Sequence, residues 1–288
     1  MFSGHETFPF RYGWLKKAVD AVRDNPAALS AEDAIIHLGV GKNMVQSMRH
    51  WALAALFVEE AGPGALKVTE FGERLVLGDP YLEDAATLWL IHWSLAARPG
   101  RAGATYLSFN HFPHAEFKKT DLVAELVRYA ERQGLRAKQS TLARDVDCLL
   151  RTYLSGPRKE LLEDAYGCPL LELNLLTLLA DGETVQFNLG AKPNLPLGIF
   201  AFALLNFLER YAPGRSTLAV HEALYAPGSP GQVFKLDENA LIELLEAVQE
   251  ITAGRIELQD STGLKQLYLR ERPRPDEFLD EHYAGVRA

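Results

Sequence analysis

The chain has 288 residues, with 30 lysines and arginines against 38 aspartates and glutamates, 48% hydrophobic residues and 24% charged ones. That much apolar sequence can bury cores for two or three domains of ordinary size, while no run approaches the roughly 18 uninterrupted apolar residues of a membrane span. The only cysteines, Cys148 and Cys168, exclude a four-thiolate zinc site and a disulfide framework, and reduced structural thiols are the default over a single bridge; with no basic-then-apolar leader at the amino terminus, a cytoplasmic location is expected.

Residues 12–24 place Trp14, Leu15, Ala18, Val19 and Val22 at helical spacing, and Asn25-Pro26 ends the helix. Ser30 is a suitable cap for a short helix, AEDAIIHL, closed by Gly39. A second helix runs from about Lys42 to Val58, with Val45, Met48, Ala52 and Leu56 on one buried stripe. Asn43, Ser47 and His50 then face outward, with Gln46 beside them and Lys42 at the helix start. Two helices joined by a glycine-containing turn, the second offering amides and small polar groups, form a helix-turn-helix pattern. The run LFVEEAGPGALKVTEFGERLV adds a hairpin turning at Gly62-Pro63-Gly64 and a helix beginning at Thr69. Helix-turn-helix, wing and closing helix in that order predict a winged-helix domain over residues 1–78, including an aromatic-rich amino-terminal arm expected to pack on it.

Residues 79–98 hold a helix apolar on nearly every face, which predicts a buried connector. Within 104–190 the pattern repeats. Thr120 and Ser140 are the expected caps of two helices, and Asp181-Gly182 separates two extended runs in which Val185, Phe187 and Leu189 alternate. Arg144 and Arg151 lie near one edge of the second helix, with Lys138 and Gln139 before it, a place where phosphate contacts form readily. Residues 193–271 give a third set of helices followed by a hairpin. Its candidate reading helix displays Asp237, Glu238, Glu243, Glu246 and Glu250, which would repel a phosphate backbone, so packing or protein contact is expected there. A charged, partly ordered tail, 272–288, follows. The fold expected is mainly α with small β-hairpins, in tandem winged-helix units.

Charge is uneven along this plan. Residues 98–159 carry 12 basic against 6 acidic side chains, whereas residues 161–288 carry 10 against 19. A polyanion would be met by the middle of the chain.

No phosphate loop, nucleophile elbow or HExxH zinc motif is present. Gly39-Val40-Gly41-Lys42 lacks the preceding strand and the hydroxyl residue of a phosphate loop. His111 and His114 read as an ordinary loop pair, and His37 and His92 as core histidines. An enzyme would need a site assembled from His5, Glu6, His111 and His114. No catalytic residue, metal or cofactor is assigned, and a non-enzymatic protein is expected.

The motifs SGHETFPFRYGWLKK (3–17), EDAIIHLGVGKNMVQSMRHW (32–51), TEFG (69–72) and DPYLEDAATLWLIHW (79–93), with TLARDV (141–146) and CPLLELNLL (168–176), together resemble an uncharacterised bacterial family, a domain of unknown function. Its members are encoded in defence-related neighbourhoods, near phosphoadenosine-phosphosulfate-reductase-like proteins of the kind used in DNA phosphorothioation. The resemblance implies a cytoplasmic accessory or DNA-binding component of a DNA-modification or anti-phage system and supplies no catalytic residues. The combined expectation is a duplex-DNA-binding regulator or targeting subunit contacting DNA through Lys42, Asn43, Gln46, Ser47, His50, Lys138, Gln139, Arg144 and Arg151. The alternative is a scaffold that docks proteins of such a system through its acidic third unit.

Overall fold

A computed structural model describes residues 2–155, 167–261 and 263–284. The Gly156-Pro157 break, Arg158 and Lys159 of the basic stretch, Thr262 of the last turn and residues 285–288 of the tail lie outside them. The protein is mainly helical with small, mostly antiparallel sheets. Among the described residues no helix is long and apolar enough to cross a membrane.

The first unit comprises α1 (Trp14–Asp24), α2 (Ala34–Leu38), α3 (Lys42–Ala54), β1 (Val58–Gly62), β2 (Ala65–Val68) and α4 (Glu70–Gly78). α1 buries the five residues its spacing selects. α2 is shorter than expected and starts after Asp33 rather than Ser30, because residues 27–34 are occupied by tight turns between Ala27 and Ser30 and between Ala31 and Ala34. On so short a helix His37 points outward. It is exposed and pairs with Asp33 at 3.0 Å, so it is not the core histidine expected. The hairpin pairs Val58 with Val68 and Glu59 with Lys67. Thr69 caps α4 by accepting from Gly72 N–H at 2.9 Å. Gly72 is obligatory for this packing, since a Cβ there would sit 2.2 Å from the Phe57 carbonyl oxygen.

The connector is α5 (Ala85–Ala96), capped by Asp84 and buried from Ala86 to Ala96. Its His92 does sit in the core. Nε2–H donates to the Val233 carbonyl at 2.8 Å, and Nδ1 accepts from the Tyr153 hydroxyl at 2.9 Å. Trp93 Nε1–H donates to Asn206 at 3.0 Å. The connector is thereby fastened to both later units.

The second unit comprises α6 (Gly103–Asn110), β3 (Glu116–Lys118), α7 (Lys119–Arg132), α8 (Gln139–Tyr153), β4 (Leu154–Ser155), a single tight helical turn at Pro169–Leu173, β5 (Leu176–Leu178) and β6 (Thr184–Phe187). α7 and α8 each begin one residue before the expected caps, Thr120 and Ser140. Val185 and Phe187 are buried as their alternation predicts, but β6 stops there and Leu189 is exposed. The third unit comprises α9 (Leu197–Tyr211), β7 (Thr217–Ala219), α10 (Val220–Tyr225), α11 (Pro230–Phe234), α12 (Glu238–Ile251), β8 (Ile256–Ser261) and β9 (Leu264–Leu269). In both units a short strand that follows the first helix pairs with the last strand. The sheet orders are β3-β6-β5-β4 and β7-β9-β8.

The tail is better ordered than expected. α13 (Pro275–Ala284) packs on α9 and α4. Tyr283 shares a 2.7 Å hydrogen bond with Thr87, His282 meets Asp84 at 2.6 Å, and Arg74 binds Asp276 and Asp280 at 3.0 and 3.2 Å. Buried apolar side chains from all three units form one continuous core.

Candidate nucleic-acid interface

The residues that join the first and second units are in the amino-terminal arm, which lies between α3 and α8. Ser3 N–H and His5 Nε2–H both donate to the Asp145 carboxylate of α8, at 2.9 and 2.8 Å. Thr7 N–H donates to His5 Nδ1 at 3.1 Å, which selects the tautomer that carries its proton on Nε2. Farther along, the Thr7 carbonyl accepts from Arg151, and the Phe8 carbonyl accepts from Trp51 Nε1 of α3 and Cys148 Sγ of α8, each at 3.2 Å. Phe10 is fully buried beside Trp51. The arm packs on the first unit, as its aromatic content predicts, and binds the second as well.

This placement corrects part of the expected reading face. Ser47 and His50 are buried, not outward, and His50 is covered by the arm. Gly4, with φ of 98°, lies so close that a Cβ on it would be 2.7 Å from His50 Nδ1. The His5 and His50 rings meet edge to face at 5.8 Å. Burial, with His5 and Arg101 nearby, depresses the His50 pKa to about 3, so the ring is neutral. Arg151 is likewise committed to the arm. Beside these groups lies a cavity of about 20 Å³ bordered by His5, His50, Arg101 and Asp145, roughly the space of one water.

What remains exposed is the beginning of each helix. Lys42, Asn43 and Gln46 on α3, and Lys138, Gln139 and Arg144 on α8, are open to solvent. Arg136, which the sequence reading passed over because it sits in the linker ahead of the helix, is exposed there too. Among the described residues Lys42, Arg136, Lys138 and Arg144 have no carboxylate partner. By contrast Arg49 and Arg101 share Glu60 of β1 at 3.6 and 2.7 Å, and Lys119 pairs with Asp147. The first turns of α3 and α8 contain no acidic residue, and neither helix has a side-chain cap, so their leading N–H groups and positive dipole ends are available to an anion. At 1.5 Å per residue, the start of α3 lies roughly 12 Å along the helix from His50.

The four residues that an enzymatic site would need do not converge. His5 contacts Asp145 and His50, Glu6 is exposed, His111 contacts Tyr106 and Tyr129, and His114 packs on Phe112, with no hydrogen bond or ion pair between the four among the described residues. Cys148 and Cys168 are free and buried, and burial raises both thiol pKa values, that of Cys168 to about 12. Among the described residues no group of three or more His, Cys, Asp or Glu side chains is arranged to hold a metal ion.

A family model described as "Protein of unknown function (DUF4007)" matches residues 2–283. The chain belongs to the DUF4007 family. The matched residues include the whole arm together with α3 and α8. Two solved structures are similar to this DUF4007 chain along its full length, described as "SspB crystal structure" and "Magnesium ion-bound SspB crystal structure". Each has a TM-score of 0.90 and 32% sequence identity, covering 100% of this chain and 89% of the other. No curated protein matches the chain.

Proposed function

We propose that this DUF4007 protein binds duplex DNA, with the exposed first turns of α3 and α8 as its contact surface, and serves a bacterial DNA-modification or anti-phage system as a regulator or targeting subunit. The observation that carries the reading is the pair of uncapped, carboxylate-free helix starts bearing Lys42, Arg136, Lys138 and Arg144 without acidic partners. Phosphates would supply the missing counter-charge. Asn43 and Gln46 add amides able to pair with adenine in two places. The element order of the first unit, and the strand pairing shared by the other two, support a tandem winged-helix description in which α3 and α8 are the reading helices. The defence setting rests on the family resemblance.

One neighbour is described as magnesium ion-bound. Magnesium is usually held by one or two carboxylates together with phosphates and water rather than by a full protein cage. The described residues offer no cage of three, and no reaction step is assigned to the ion.

The test is an anisotropy titration of the full chain with a labelled duplex of about 30 base pairs, long enough for two half-sites one or two helical turns apart. Affinity should fall steeply with salt, and replacing Lys138 and Arg144 by alanine should reduce the slope of log K against log salt by about 2. Asn43→Ala or Gln46→Ala should relax sequence preference. Negligible binding to every duplex at low salt would overturn the reading. Relaxation of supercoiled plasmid on adding Mg²⁺ would overturn its non-catalytic part.

A further inference from the structure

The third unit has an open groove of about 230 Å³ between α10, the start of α12 and the β8–β9 turn. Its edges are Tyr225, 54% exposed, and Leu264, 65% exposed, with His221, Leu224, Glu238 and Lys265 also in the lining. Leu264 stands at the tip of a hairpin and Tyr225 at the end of a helix, so covering either requires a body outside this unit. Large side chains left this open on either side of one groove are typical of anchor positions for a partner.

Glu238 and Lys265 offset each other in the lining, so the occupant is selected by the charge farther along α12. α12 carries Asp237 and Glu238 at its start and Glu243, Glu246 and Glu250 on a single exposed face. Asp237 caps the helix and lies near Lys192, whereas Glu238, Glu243, Glu246 and Glu250 form no ion pair among the described residues. The ridge from Glu238 to Glu250 is about 18 Å long at 1.5 Å per residue. Such a face excludes nucleic acid and attracts positive charge. We infer that this groove docks a basic segment of another protein, seating one aliphatic or aromatic side chain between Tyr225 and Leu264 and laying lysines or arginines along the α12 ridge. The inference is independent of duplex binding, which uses α3 and α8.

The test uses the full chain carrying a photo-crosslinking phenylalanine analogue at Tyr225 or Leu264, with Leu189, exposed in the second unit, as control site. Crosslinking is done in the producing cell, and the attached peptide is sequenced by mass spectrometry. The expected adduct at both groove positions, and not at Leu189, is a peptide of another protein with net positive charge and a large apolar side chain. Replacing Glu243, Glu246 and Glu250 by lysine should reduce its yield roughly tenfold or more, since three rim attractions become repulsions. These positions are exposed, so an unchanged thermal melt would show that the fold survives. No adduct, an adduct to a second copy of this chain, an acidic peptide, or a yield indifferent to charge reversal would each overturn the inference.

Discussion

Lowering the pH should destabilise this protein well before its carboxylates titrate, and the buried His92 is one of two causes. Its ring is wholly buried among Tyr153, Phe109 and Phe234, with Lys235 nearby, and burial depresses its pKa to about 4. In the unfolded chain a histidine takes up a proton near pH 6.5. Between pH 6.5 and 4 the unfolded state therefore binds a proton that the folded state refuses, and stability declines as pH falls. Each pH unit is worth 1.36 kcal/mol per group, so His92 should remove about 2 kcal/mol between pH 6.5 and 5 and about 3 kcal/mol by pH 4. His50, depressed to about 3, adds a similar loss over the same window. The carboxylates held lowest, Asp181 and Glu222 at about 2, lose their contribution only below their ordinary range. Urea unfolding followed by tryptophan fluorescence at pH 6.5 and 5 would measure the loss. His92→Phe should be less stable than the parent at pH 6.5, because it orphans the Tyr153 hydroxyl and the Val233 carbonyl. The gap should narrow by about 2 kcal/mol at pH 5. A gap that does not change with pH would refute the reasoning.

The alkaline side should behave in the opposite sense. Burial lowers Lys235, whose ammonium sits over Phe187 and donates to the Phe109 carbonyl at 2.6 Å, to about 7, so stability should rise by about 3 kcal/mol between pH 7 and 9 and Lys235→Met should flatten that rise in urea titrations. Asp145→Asn should weaken two charge-assisted bonds to the arm, lower stability by about 2–3 kcal/mol and speed amide exchange over residues 3–8, detectable by mass spectrometry. Gly72→Ala should destabilise by about 3 kcal/mol or prevent folding, because its Cβ would collide with backbone rather than a movable side chain, as a thermal melt would show.

The sequence disclosed the elements whose apolar spacing is strong and local. α1, the buried Val45, Met48 and Ala52 of α3, the first hairpin, the Thr69 cap and the all-apolar α5 follow from periodicity, turn chemistry and capping. But α3 ends at Ala54, so Leu56, expected on its stripe, lies past the helix with φ of 64° and is half-buried. β3 and β7 escaped because three residues are too few for alternation to register, and their pairing with β6 and β9 is a long-range event. His50 was misplaced for a related reason. Helical spacing identifies the apolar stripe of α3, but a second covering, supplied by an arm without periodicity, leaves no trace in the helix itself. The same holds for Asp145, which reads as a solvated charge until Ser3 and His5 are brought to it. Lys42, Asn43, Gln46, Lys138, Gln139 and Arg144 could be recognised as exposed because little packs on the first turn of either helix.

The connector helix presents no side to water along its middle, and four of its polar side chains are answered by different neighbours: Tyr153 and Val233 for His92, Asn206 for Trp93, Asn194 for Trp89, Tyr283 for Thr87. Cutting the polypeptide on either side of it would strip this greasy rod of its jacket. The three modules that look separable on paper should therefore melt as one, and excised fragments should aggregate rather than stand alone.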